Sequence, residues 1–262
     1  MATTTPYDLL RAELQRDSAR PLVTFYDDAT GERVELSVAT FDNWVAKTAG
    51  LLRDDLATDS GARIAVLLPP HWQALVWAAA CWALGACVVD SADGADVLVV
   101  GPDTLDQAAT TEAEEVVALS LRPLGGRFAD PLPIGVLDYA VEVPGHPDRL
   151  AGYVPPAATE PALEHRGISH TLSGLVDQAR ERGDRLGADP GARLLVSTAD
   201  LRTALLDALL VPMVVGGSAV LVRNEADGTR DSRIAAERVT VVAPAGAESE
   251  DAGAKSEDAG PD

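Results

Sequence analysis

Lysine is almost missing from this chain: Lys47 and Lys255 stand against 19 arginines, so any step that needs a lysine has two addresses at most. Cations of both kinds are outnumbered, 21 Lys and Arg against 41 Asp and Glu, for a formal net charge of −20. A nucleic-acid groove or a contact with anionic lipid needs a basic patch to neutralise phosphates, which excludes both partner classes. Cysteine is scarce as well. Cys81 and Cys87 are six apart, neither a CxxC nor a zinc spacing, and read as buried free thiols in a reducing compartment. The N-terminus MATTTPYDLLRAEL has no basic segment followed by an apolar one, so no secretion signal is expected and the location implied is cytoplasmic. The most apolar run, residues 72–89, is interrupted by Gln73 and Gly85. Its helical part is about 14 residues, short of the roughly 20 that cross a bilayer. There is no fixed-period repeat and no GxGxxG. Gly125-Gly126 and Gly216-Gly217 read as turns.

What is there is organised around residues 61–90, GARIAVLLPPHWQALVWAAACWALGACVVD. Residues 63–68 form a short apolar run that predicts a buried strand, ended by Pro69-Pro70, since proline cannot donate to a ladder. From His71 the residues Trp72, Leu75, Val76, Ala79, Ala80 and Ala83 recur at helical spacing, Gly85 closes the helix, and residues 86–89 begin a second strand. A strand–helix–strand unit with short joints demands a mostly parallel sheet covered by helices.

The rest of the chain repeats that alternation. Residues 6–15 predict an amphipathic helix, and residues 22–26 and 33–36 a hairpin around Gly31. A helix capped by Ser37 or Thr40 runs to about residue 56. Strands are predicted at 96–100, 115–119, 134–137, 193–196, 218–222 and 239–242. Helices are predicted at 104–109, 169–186 (with Ser169 as N-cap), 200–211 (with Asp200 as N-cap) and 230–237. Residues 122–161, rich in Pro and Gly, read as a long surface connection or a subdomain joint. The fold class is therefore α/β: a doubly wound, mostly parallel sheet with helices on both faces and the hairpin at its rim. One domain is expected over residues 1–243. The acidic stretch 244–262, with six acids and one lysine, accounts for five of the negative charges and leaves −15 on the remainder. Without large apolar residues it predicts a disordered tail.

Several stretches resemble the N-terminal part of the adenylate-forming superfamily, which comprises acyl-CoA synthetases, luciferases and peptide-synthetase adenylation domains. GARIAVLLP (61–69) is similar to the family's "GDRVALLLPN", WAAACWALGA (77–86) to its "AFLAALKAGA", and GISH (167–170) to the "GVxxTH" that follows its phosphate loop. Residues 193–222 and 233–242 resemble later strands and helices, so the likeness covers roughly residues 21–244. The resemblance implies AMP-forming ligation of an acid to a thiol, with ATP as cofactor.

The departures from the family pattern weigh against that chemistry. The family's loop reads SGTTGxPKG: glycines bring backbone amides to the triphosphate, hydroxyls add donors and a lysine adds a cation. The nine positions ending at Gly167 here are TEPALEHRG, residues 159–167, in which only Thr159, Arg166 and Gly167 keep a phosphate-loop character. The internal glycines are gone, and with them φ > 0, while Glu160 and Glu164 would repel a polyphosphate. The pocket histidine of the family falls near residues 197–201, where there is none. The family's "YGxTE" segment, ribose-binding aspartate and lysine-bearing lid are expected beyond residue 262. An acyl-adenylate transition state needs preorganised positive charge, and neither lysine is placed to give it.

The expectation is thus a non-catalytic relative of the adenylate-forming enzymes that binds or scaffolds, with no catalytic residue assigned and no cofactor retained. ATP or AMP binding would fall to Thr159, Arg166 and Gly167. A protein partner or a second copy, or a small acyl or nucleotide ligand, is the expected occupant. The alternative is the N-terminal half of a split acyl-CoA synthetase completed by a partner chain. No metal site is expected: His165 and His170 lack the spacing of a one-face helical pair. Trp72, Trp77 and Trp82, five apart, do not share a helical face and read as packing.

Overall fold

The computed structural model describes residues 4–244, so the expected tail, beyond its first residue, lies outside the described residues. The elements in chain order are α1 (Pro6–Asp17), β1 (Pro21–Asp27), β2 (Glu32–Ser37), α2 (Val38–Gly50), β3 (Arg63–Leu67), α3 (Trp72–Leu84), β4 (Cys87–Val89), β5 (Val97–Val100) and β6 (Glu115–Ala118). There follow β7 (Val136–Asp138), α4 (Tyr139–Glu142), β8 (Pro161–His165), β9 (Ile168–Thr171), α5 (Leu172–Leu186), β10 (Arg193–Ser197), α6 (Leu201–Leu205), α7 (Val211–Val215), β11 (Ser218–Arg223), α8 (Arg230–Ala236) and β12 (Val241–Val242). The α/β class with helix-covered, mostly parallel strands holds. The strands are divided, however, between two sheets: among the described residues one has the order β7-β6-β5-β3-β4-β8-β9 and the other β12-β10-β11-β1-β2. The hairpin lies at a rim, with β2 as edge strand, while β1 runs parallel to β11 from the far end of the chain.

Alternation along each strand explains the layering. In β3, Ile64 and Val66 face the main core while Ala65 and Leu67 face the opposite side; β5 splits likewise into Val97 and Val99 against Leu98 and Val100. The inner faces of both sheets join α1, α2, α3 and α5–α7 in one core. Within it α3 is buried on every side, from Trp72 to Ala83, which is why its sequence is apolar all round rather than striped. His71 caps α3 by accepting from the Gln73 N–H (3.2 Å), and Gly85 ends it at φ +77°. The three tryptophans are packing residues: Trp82 donates to the Ala162 carbonyl (2.8 Å), Trp77 lies against Tyr139, and Trp72 against Trp44. Cys81 and Cys87 are free and buried, and burial pushes both thiols up. No helix among the described residues is long and apolar enough to cross a membrane.

One local reading is corrected. The helix expected from Ser169 begins at Leu172, and its cap is Thr171, which accepts from the Gly174 N–H (3.1 Å). Ser169 is exposed in β9. The β-branched Ile168 and Thr171 and the tight turn before them favour a strand over another helical turn.

Candidate functional site

Strand order decides where a ligand could enter. From β3 the chain crosses through α3 on the inner face to β4 on one side, then returns to β5 on the other side. The next crossover, the 3-10 helix Pro102–Ala109, packs on the outer face through Leu105 and Ala108. Successive crossovers on opposite faces leave a crevice at the carboxyl ends of β3 and β5, the usual ligand position in open α/β sheets. A cavity of about 420 Å³ lies there, within the range of small-molecule sites.

Its floor is apolar: Val66, Leu68, Val88, Val89 and Leu163 from the strand ends, and Leu201 and Leu205 from α6. Its mouth carries Asp90, Asp103, Thr104, Gln107, His165, Asp200 and Arg202. Several of these side chains are committed to local structure. Thr104 accepts from the Gly101 N–H and donates to the Leu67 carbonyl (2.9 Å each), tying the 3-10 helix to β3. Asp200, as expected, caps α6, accepting from the Thr203 N–H (2.8 Å) and hydroxyl (2.6 Å). Asp90 accepts from the Arg166 N–H (3.0 Å), and the same oxygen lies 2.9 Å from His165 Nδ1.

The sequence-predicted phosphate positions fall on and around β8, next to this sheet's edge strand β9. Of residues 159–167, five form β8, two precede it, and only Arg166 and Gly167 remain as a loop. They have φ of +50° and +77°, as in a two-residue type I′ turn, and β8 pairs antiparallel with β9. Left-handed backbone therefore persists, contrary to the sequence reading, but it closes a hairpin instead of opening a cradle. Arg166 and Gly167 are neighbours. Thr159 lies past the opposite end of β8, whose four steps alone span roughly 13 Å at ~3.3 Å per residue, so it stands apart from the Arg166–Gly167 turn. Glu164 points to the outer face and binds Arg63 (2.7 and 3.3 Å), whose hydrogen bond holds the carboxyl below its usual range. Among the described residues no three His, Cys, Asp or Glu side chains are grouped to hold a metal ion. His170 faces Gln178 (2.6 Å), away from any such set.

Asp90, Asp103, Gln107 and His165 were missed as site residues. Asp90, Asp103 and His165 sit at or just after the carboxyl ends of parallel strands, the signal that could have found them, and Gln107 lies on the 3-10 helix that follows β5.

No family model matches the chain. It is 40% identical over 247 residues to a TIGR03089 family protein of Mycobacterium tuberculosis, an alignment covering 92% of this chain and 98% of that one. Solved structures share the fold at lower identity. An acyl-CoA synthetase of Brucella canis matches with TM-score 0.74 and 15% identity over 92% of this chain and 47% of its own. The N-terminal domain of FACL13 from Mycobacterium tuberculosis matches with TM-score 0.70 and 16% identity over 90% of this chain and 61% of its own. An anthranilate CoA ligase, AuaEII, in complex with anthranoyl-AMP, matches with TM-score 0.71 and 17% identity over 91% and 48%. The chain thus has the fold of the N-terminal part of adenylate-forming enzymes and spans about half the length of the solved structures it matches.

Proposed function

The chain belongs to the TIGR03089 family, and from that premise and the hairpin geometry we propose a binding module on an adenylate-forming frame, without ligase chemistry of its own. The observation that carries this reading is the Arg166–Gly167 turn. Holding a triphosphate takes a run of free backbone amides and a cation. Here a two-residue turn stands in that place, and the Arg166 amide is already taken by Asp90. A phosphate approaching it would displace one anion with another and meet the carboxylates of the mouth. Acid-dependent exchange of pyrophosphate into ATP by the purified chain tests the reading: none is expected, and turnover above background overturns it. Addition of ATP or AMP is expected to leave the melting temperature unmoved, since only a ligand that binds the folded state raises it.

A second reading, one half of a split ligase, draws on the chain's match to about half the length of solved ligases. It requires exchange activity to appear when the chain is assayed together with a co-purifying partner, and its absence from such a complex counts against it.

A further inference from the structure

We propose that the cleft at the carboxyl ends of β3, β4, β5 and β8 takes an apolar molecule ending in a protonated amine. The inference rests on the binding-module reading above and names the ligand chemistry of the same site. The cavity, about 420 Å³ with an aliphatic floor, makes the place a site. The polar atoms at its mouth then decide what the ligand must present. His165 turns Nδ1 toward the Asp90 carboxylate at 2.9 Å, and in the neutral imidazole a proton held there leaves Nε2 as an acceptor. Asp103 is largely exposed and only loosely ion-paired with Arg223, at 3.7 Å, beyond hydrogen-bond reach. Gln107, on the same wall, can accept through its amide oxygen or donate through its nitrogen. The Asp103 carboxylate on the 3-10 helix and the imidazole on β8 call for a donor, and the Gln107 amide can serve one.

The groups that would favour an anion are partly engaged. The Arg166 amide is bonded to Asp90. Arg202, the one Lys or Arg at the mouth among the described residues, spends one N–H on the Gln178 side-chain oxygen (3.4 Å) and stands beside Asp90, Asp103 and Asp200, which outnumber it. The formal charge of −20 adds a long-range bias in the same direction: it attracts cations and repels carboxylates and phosphates. An aliphatic body therefore loses water against Val88, Leu163 and Leu205, while its ammonium stays at the mouth among acceptors.

Calorimetric titration of the full chain at pH 8 with octylamine, octanol and octanoate, each below its micellar concentration, separates charge from apolar burial. Octylamine is expected to bind at least tenfold tighter than octanoate, with octanol between them. Raising the salt to 0.5 M, or Asp103→Asn, is expected to shrink that preference about threefold. Leu201→Trp, which fills the apolar floor, is expected to abolish binding of all three. Asp103→Asn alters an exposed side chain and keeps the charge argument testable if Leu201→Trp fails to fold. Octanoate binding as tightly as octylamine overturns the amine assignment and leaves the binding-module reading standing. Binding of none of the three at millimolar concentration overturns the ligand assignment. Pyrophosphate exchange overturns the module reading and the inference that rests on it.

Discussion

Two neighbouring parts of the larger sheet follow different rules. The β3–α3–β4 unit is buried on both faces of its strands and on all sides of its helix, whereas the adjoining β8–β9 hairpin has buried residues only at Ala162 and Leu163. In the first, nearly every side chain is fixed by its neighbours, so packing writes the sequence. In the second, the backbone turn and a few polar contacts set the geometry: of residues 159–167, five form a strand and two a tight turn. The buried unit and the hairpin thus depend on different residues, and one can vary while the other is kept.

The largest expected effect tests the buried half of that comparison. Trp77 is fully buried and lies against Tyr139. Trp77→Ala is expected to cost about 3–5 kcal/mol, read from the urea midpoint, because the surrounding layers collapse only partly into the void. Ile168→Ala in the exposed strand β9 is expected to cost under ~1 kcal/mol. Equal losses at the two positions would erase the distinction.

The same contrast explains what could be read from the sequence. The unit at residues 61–90 was legible because the strand period, Pro69-Pro70, the helical spacing and Gly85 all point to one structure. The division into two sheets was not, since β1 pairs with β11 about 200 residues away and nothing local records that partnership. The hairpin β8–β9 was missed because PALEH carries one proline and two charged or titratable residues in five. Those residues suit a strand next to the edge with one face toward solvent, and they hide it from an apolar pattern. The cleft was half legible: Asp200 was seen as a cap, but its nearness to Asp90 and His165 exists only once α6 is laid over the strand ends.

A smaller effect sharpens the comparison for charged groups. Glu237, beside α8, is 9% exposed, and burial works to raise its pKa; hydrogen bonds from Tyr26, Arg193 and Arg33 outweigh that and hold it down to about 2. A depressed carboxyl contributes stability that is present above its ordinary value of 4.5 and is lost as pH falls through 2. The full shift corresponds to about 3 kcal/mol; with Arg33 half in solvent, about 2 kcal/mol is expected between pH 5 and 2. Glu237→Gln should flatten the stability curve over that window, and an unchanged slope would mean that other carboxyls carry it.

Next comes the point where helix α5 begins. Thr171→Ala removes the acceptor for the Gly174 N–H and is expected to cost about 1 kcal/mol. Ser169→Ala, at an exposed strand position, should stay within about 0.5 kcal/mol. The reverse order would move the helix start back to Ser169 and dissolve the hairpin.

The smallest effect bears most directly on the hairpin turn. Arg166 sits at φ +50°, a region that costs most side chains about 1 kcal/mol and that asparagine tolerates better, and Asn-Gly is the preferred pair for a type I′ turn. Arg166→Asn keeps the backbone N–H that Asp90 accepts and removes only the guanidinium. If turn geometry alone governs the hairpin, the variant gains about 0.5–1 kcal/mol in the urea midpoint and binds octylamine as the parent does, or slightly tighter with one cation fewer near the mouth. Weaker octylamine binding or a loss of stability would show that the arginine is kept, against its own backbone preference, for a contact that its side chain makes at the cleft. Local strain would then mark a working residue in the part of the sheet that packing leaves free.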